Sequence, residues 1–182
     1  MAKLNEAQLK EQFKKREFAN AYFIYGDESY LKEHYISKFK SALINPVFES
    51  FNLHQYHSDD ADLDDIIKDA QMLPMMSDYN LVIVSDYPIE KSKNDMNILK
   101  EFLEDVPETT VFLFCFAEKT LALDSTVFKN LVKYFGQAGC VVNLEKRSEA
   151  DVAKMLSSGA KKEGQVLILI MQDTLFPLPE MI

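Results

Sequence analysis

Apolar residues in this chain fall into short unbroken runs, separated by longer stretches in which they recur every three or four positions. The runs are Ala21-Tyr-Phe-Ile-Tyr25, Leu81-Val-Ile-Val84, Thr110-Val-Phe-Leu-Phe-Cys-Phe116 and Cys140-Val-Val-Asn-Leu144. Runs of this length between turn formers read as buried strands. Phe51-Asn-Leu-His-Gln-Tyr56 alternates instead and predicts a further strand. The stretches between them carry helical spacing. Residues 4–18 place Leu4, Ala7, Leu9, Phe13 and Phe18 in a loose stripe. Residues 28–43 do the same with Tyr30, Leu31, Tyr35, Phe39 and Ala42, with Asp27 as cap and Asn45-Pro46 as stop. Ser58-Asp-Asp opens a helix whose apolar face is Leu63, Ile66, Ile67, Ala70 and Met72, and Pro74 closes it. Residues 91–106 turn Met96, Ile98, Leu99, Phe102 and Leu103 inward. Asp124-Ser-Thr opens a helix closed by Gly136 and Gly139, and Ser148-Glu-Ala-Asp opens one that ends near Gly164.

Strands thus alternate with helices five times. Their continuous apolar character fits strands covered on both faces. The expected fold is α/β, a five-stranded parallel sheet with helices on both faces. The expected organisation is an N-terminal helix over 1–19, a sheet domain over 20–147, and a remainder over 148–182.

Composition narrows the function. Apolar residues make up 47% of the 182 positions, enough for a sizeable core. The net charge of −9 argues against a broad basic face for nucleic acid. Cys115 and Cys140 sit in apolar runs and read as reduced core thiols. The N-terminus lacks the apolar segment of a signal peptide, and no run is long enough to span a bilayer. A soluble, cytoplasmic protein without membrane contact is expected.

In an open parallel sheet, ligands bind beyond the carboxyl ends of the strands. The loop after the first strand reads Gly26-Asp27-Glu28-Ser29. A phosphate-binding loop needs several glycines, a lysine and a Ser/Thr for magnesium. This one offers one glycine, no lysine at the right distance, and two carboxylates that repel phosphate. The reading is a P-loop-like topology whose phosphate cradle is gone, with no catalytic residues, no metal and no cofactor. His54 and His57 have a metal-like spacing but belong on opposite faces of a strand, and read as two surface histidines. Asp59, Asp60, Asp62, Asp64, Asp65 and Asp69 lack calcium-loop spacing and read as a solvated helix face. Asp27, Glu28, Asp86 and Lys119 leave a receiver-type signalling domain as an alternative. A nucleotide-binding protein with a degenerate P-loop is another.

The stretch Tyr22-Phe-Ile-Tyr-Gly-Asp-Glu-Ser-Tyr-Leu-Lys-Glu33 resembles the opening strand, turn and helix of the delta subunit family of bacterial DNA polymerase III clamp loaders. Leu73-Pro-Met-Met-Ser-Asp-Tyr-Asn-Leu-Val-Ile-Val84 resembles that family's second signature, and Phe51-Asn-Leu also fits. The resemblance spans about residues 20–163. It implies an AAA+-like domain without ATPase activity that binds and opens the DNA sliding clamp (beta). Its implied partners are that clamp, the gamma/tau and delta-prime subunits, and DNA through the assembled loader. Position by position, the family's apolar wedge falls on Met75 and Met76, flanked by Leu73 and Pro74. Two methionines after a proline also suit a protein-binding surface on their own chemistry, because methionine is flexible and polarizable. The alternative, that one or both pack beneath the sheet, is left open by the residues alone. The family more often carries Leu-Phe or Phe-Phe here, so an aromatic anchor is missing.

After Gly164 the chain departs from the family's helical lid and collar. The run from 165 to 182 is apolar, and a truncated or frame-shifted gene is expected; without the collar, stable assembly into a loader is not. Gln172, Leu175 and Phe176 resemble the short Gln-x-x-Leu-Phe peptide by which bacterial proteins bind the clamp, a pattern short enough to arise by chance. Residues 166–171 are an aggregation hazard if nothing covers them.

Overall fold

The computed structural model describes residues 2–26, 28–58, 62–117 and 122–144. These belong to the unit Met1–Glu145; Lys146–Ile182 form a second unit. The helix expected over 148–163 and the apolar run after it lie outside the described residues.

The described α-helices and strands are β1 (Ala2–Leu4), α1 (Glu6–Lys15), β2 (Ala21–Gly26), α2 (Ser29–Leu43), α3 (Glu49–Asn52), β3 (Leu53–His57), α4 (Leu63–Ala70), β4 (Asn80–Ser85), α5 (Lys93–Glu104), β5 (Thr110–Ala117), α6 (Thr126–Ala138) and β6 (Cys140–Asn143), with short 3-10 turns at Pro46–Phe48 and Ile89–Lys91. The strands form one sheet in the order β1-β6-β2-β5-β4-β3, and every neighbouring pair is parallel. The five strands expected from the sequence are β2 to β6. The short β1 adds a sixth at the edge, pairing with β6 and ending at Leu4, which sequence periodicity assigns to the first helix.

Numbered among themselves, the five expected strands lie in the order 5-1-4-3-2. A receiver domain has the doubly wound order 2-1-3-4-5. The topology therefore removes the receiver alternative.

The unbroken apolar strands feed two cores, because alternate side chains point to opposite faces. Tyr22, Ile24, Leu81, Ile83, Val111 and Leu113 meet Leu9 of α1 and Leu31, Tyr35 and Phe39 of α2 on one face. Phe23, Val82, Val84, Phe112 and Phe114 meet α4, α5 and α6 on the other, with Ile66, Leu99, Phe102, Leu131 and Phe135. Each fully buried large side chain is worth about 1.5–3 kcal/mol. The first core is rich in aromatic contacts: Phe39 lies 4.7 Å from Phe13 and 4.9 Å from Tyr22 between ring centroids. The Tyr22 hydroxyl is buried yet satisfied, donating to Gln12 Oε1 and accepting from the Ala19 N–H, each at 2.9 Å.

Local signals set several ends. Asn5 and Gln8 form a reciprocal capping box at α1, which ends at Arg16 in the left-handed region. Ser92 and Ser125 cap α5 and α6. Other boundaries move. The helix expected from Ser58 starts at Leu63, and Phe51 stands in the short helix α3 instead of the strand. Gly139 is required by space, since a Cβ there would sit 2.1 Å from the Ala21 carbonyl oxygen.

Candidate functional site

The segment 71–79 runs from the end of α4 to β4, so it lies at the amino end of the parallel sheet. Pro74 cannot continue the helix. Met72, Leu73, Met75 and Met76 all project into solvent: Leu73 is 82% exposed, Met76 77%, Met72 54% and Met75 50%. Large apolar residues exposed together mark contact surfaces more often than single ones do. Met76 adopts φ +50°. That left-handed conformation costs a non-glycine residue about 1–2 kcal/mol, so the surrounding structure must hold it.

Three buried polar side chains hold this segment and the end of α4 that leads into it. Asn52 accepts from the Met75 N–H at 2.6 Å and donates to the Met75 carbonyl at 2.8 Å. Asn80 Nδ2 donates to the Asp69 carbonyl at 2.7 Å, and Thr110 Oγ1 donates to that of Ala70 at 2.7 Å. Asn80 and Thr110 thus give the last carbonyls of α4 side-chain donors, that of Asp69 in addition to the Met72 N–H. Beside the segment, residues 42–45 and 76–78 line a shallow cleft of about 360 Å³. Val47 and Phe51 are likewise exposed, at 76% and 54%. The segment thus carries exposed apolar side chains on a backbone bonded at Met75 to the buried Asn52.

At the carboxyl end of β2 the arrangement is different. Gly26 has φ +133°, and a Cβ there would lie 2.2 Å from the Leu144 carbonyl oxygen. The glycine is demanded by the close passage of the chain leaving β6. Glu28 caps α2 without a side-chain bond, and Ser29 begins the helix; Asp27 lies outside the described residues.

Contrary to the expectation from the sequence, a lysine does stand at the phosphate-binding distance. Lys32 is the sixth residue after Gly26, which is the separation between the first glycine and the lysine of a phosphate-binding loop. Leu31 stands where the second glycine would be and Glu33 where the Ser/Thr would be. Lys32 is buried, and its ammonium donates to the Phe116 carbonyl at 3.0 Å. The spacing from Gly26 could have revealed it.

Comparison with known proteins decides the family. The DNA polymerase III, delta subunit family matches residues 22–145, more than half of the chain. The chain belongs to the DNA polymerase III delta subunit family. A curated relative, DNA polymerase III subunit delta of Bacillus subtilis, is 28% identical over 107 residues, covering 55% of this chain and 31% of the relative. The solved Bacillus subtilis DNA clamp loader delta protein superposes with a TM-score of 0.69 at 21% identity, covering 85% of this chain and 47% of that one. A DNA polymerase III gamma subunit-related protein from Thermotoga maritima gives 0.55 at 20% identity, covering 87% and 51%. At these identities the two structures bear on the fold. The chain spans about a third of the curated relative and about half of each solved chain.

The remaining candidates separate in space. His54 is not a surface residue: its side chain is largely buried, with Nδ1 3.3 Å from Asp69 Oδ2, the oxygen that also accepts from the Tyr56 hydroxyl. Asp69 is therefore part of the β3–α4 contact and not of a solvated face. Burial and this carboxylate both raise the Tyr56 pKa. His57 is exposed on the other face of β3. Asp64 and Asp65 are exposed, while Asp59, Asp60 and Lys119 lie outside the described residues, as do Gln172, Leu175 and Phe176. Asp86 follows β4 at φ +53°, its N–H bonded to the Cys115 carbonyl. Among the described residues no group of three or more His, Cys, Asp and Glu could hold a metal ion, and no helix is long and apolar enough to cross a membrane. Burial pushes the Cys115 thiol up to about 12 and raises that of Cys140.

Proposed function

We propose that this chain acts without chemistry of its own, as the clamp-binding part of a clamp-loader delta subunit that helps to open the DNA sliding clamp during replication. One observation carries the reading: Met75 and Met76, with Leu73 and Pro74 beside them, are presented to solvent on a segment whose backbone is pinned from below. A loop without a partner has no reason to keep four large apolar side chains exposed on a braced backbone. Family membership supports the choice of partner. In this reading the methionines enter an apolar pocket on the ring, and their flexibility compensates in part for the absent aromatic pair.

The phosphate end supports the non-catalytic part of the proposal. Leu31 and Glu33 replace the glycine and the magnesium-holding hydroxyl, and Lys32 is spent on a main-chain carbonyl. The other loader subunits, gamma/tau and delta-prime, and DNA reached through the assembled loader complete the proposed set of partners.

The test is binding of the chain to the sliding clamp of its source organism, with Met75→Ala/Met76→Ala as comparison. Binding that the double substitution weakens at least tenfold is the expected result; each buried methionine contributes about 1.5–3 kcal/mol. Absence of binding by a folded chain would overturn the proposal. Binding that survives the double substitution would move the contact to Leu175 and Phe176.

A further inference from the structure

The side-chain amide of Asn52 is fully buried and spends all its bonds on main chain. Its Oδ1 accepts from the Met75 N–H at 2.6 Å, and its Nδ2 donates to the Met75 carbonyl at 2.8 Å and to the Phe48 carbonyl at 3.1 Å. The pair of bonds to Met75 copies the exchange that two opposed strand residues make through their backbones. Only an amide supplies both an acceptor and a donor fork at this reach; aspartate lacks the donors and leucine lacks both. The bond to Phe48 ties the same amide to the turn Pro46–Phe48, which together with α3 carries the exposed Val47 and Phe51. One buried side chain thus couples two separate segments that both expose large apolar groups at the amino end of the sheet. A binding loop ordered in advance loses less entropy on association than one ordered by its partner.

We infer that Asn52 is a positioning residue for partner binding: it presets the Met75 backbone in the orientation the partner meets and joins that loop to the helix bearing Phe51. The inference rests on the clamp-binding reading above, and it goes further by assigning the preorganisation of that surface to one amide 23 positions away in sequence.

Two readouts on the full chain test it together, amide hydrogen exchange and titration with the sliding clamp. Wild type is compared with Asn52→Ala, Asn52→Asp, Met76→Ala and Asn52→Ala/Met76→Ala. In Asn52→Ala the Met75 amide is expected to exchange at least about tenfold faster, while the amides of β4 keep their rates. Clamp affinity is expected to fall about tenfold, and by less than about threefold when Met76 is already alanine, because the two residues act through one loop. An equal loss in both backgrounds, or no loss, would overturn the inference and leave Asn52 a structural residue. If Asn52→Ala speeds exchange throughout β4, Asn52→Asp decides, because it keeps the shape of the side chain and loses both donors. Affinity that tracks the Met75 amide, about tenfold weaker where that amide exchanges faster and within about threefold of wild type where it stays slow, supports positioning; affinity that departs from it in either direction overturns the inference. Absence of clamp binding by the folded wild-type chain would sink the clamp reading itself, whatever Asn52 does.

Discussion

Lys32 donates its ammonium to the Phe116 carbonyl at 3.0 Å, at the end of the sheet where a nucleotide-binding relative would hold phosphate. The cation is turned into the protein and pairs a carbonyl at the buried end of β5. Lys32→Ala leaves that carbonyl unpaired and strips the packed stem. A loss of about 1–3 kcal/mol is expected in urea unfolding. An unchanged midpoint would show that the bond contributes nothing.

The same geometry bears on nucleotide. A ligand that binds the native state at a hundred times its Kd adds about 2.7 kcal/mol of stability. Millimolar Mg-ATP is expected to leave the melting temperature within about 1 °C of its starting value. A rise of several degrees would restore the degenerate-P-loop alternative.

Gly26 is held by two constraints at once, φ +133° and the Leu144 carbonyl 2.2 Å from any added Cβ. The obstacle is backbone, so no side chain can swing aside. Gly26→Ala is expected to cost about 2–5 kcal/mol, combining strain with overpacking. Soluble yield and urea midpoint measure it, and a wild-type midpoint would refute the account.

The exposed apolar residues should behave unlike the core. Phe39→Ala removes a ring in contact with Phe13, Phe18 and Tyr22 and is expected to cost about 3–5 kcal/mol. Met76→Ala and Phe51→Ala should each stay within about 0.5 kcal/mol of wild type. A large loss at Met76 would mean that it packs against the protein.

Alkaline pH tests the buried thiol. The Cys115 pKa rises from 9.0 to about 12 because burial disfavours the thiolate. The folded state therefore binds more protons than the unfolded chain between pH 9 and 12. This contribution is complete below pH 9 and is lost as pH rises towards 12, at up to about 1.4 kcal/mol per unit. Tyr22, raised by burial, acts in the same sense above pH 10. Urea midpoints at pH 8 and 10.5 should differ, and Cys115→Ala should flatten the slope. Equal midpoints for wild type would contradict the assignment.

Much of the fold was legible because buried parallel strands write themselves as continuous apolar runs, and because Ser92, Ser125 and the prolines punctuate the helices. β1 was not legible: three residues, Ala2–Leu4, are too few to show a period, and only pairing with β6 makes them a strand. The late start of α4 escaped for a related reason, since the acids from 58 to 62 fit a cap or a loop equally well. The exposure of Met75 and Met76 was left open by the residues and is settled by the coordinates. What supports them could not be read at all, because the Asn52 bonds join positions far apart in sequence. Lys32 stands at the spacing of a phosphate-binding lysine, but its inward turn to the Phe116 carbonyl joins residues 84 positions apart and leaves no local sign.

Every strand runs the same way, so Gly26 and the Met75 segment stand at opposite ends of the sheet, separated by the six residues of β4, about 20 Å. Drift at one end therefore has no direct route to the other. A lineage could let the phosphate cradle decay, fill its floor with Leu31 and Lys32, and keep the opposite rim unaltered. The fold offers two sites for modification, and one of them can fall silent while the other goes on being used.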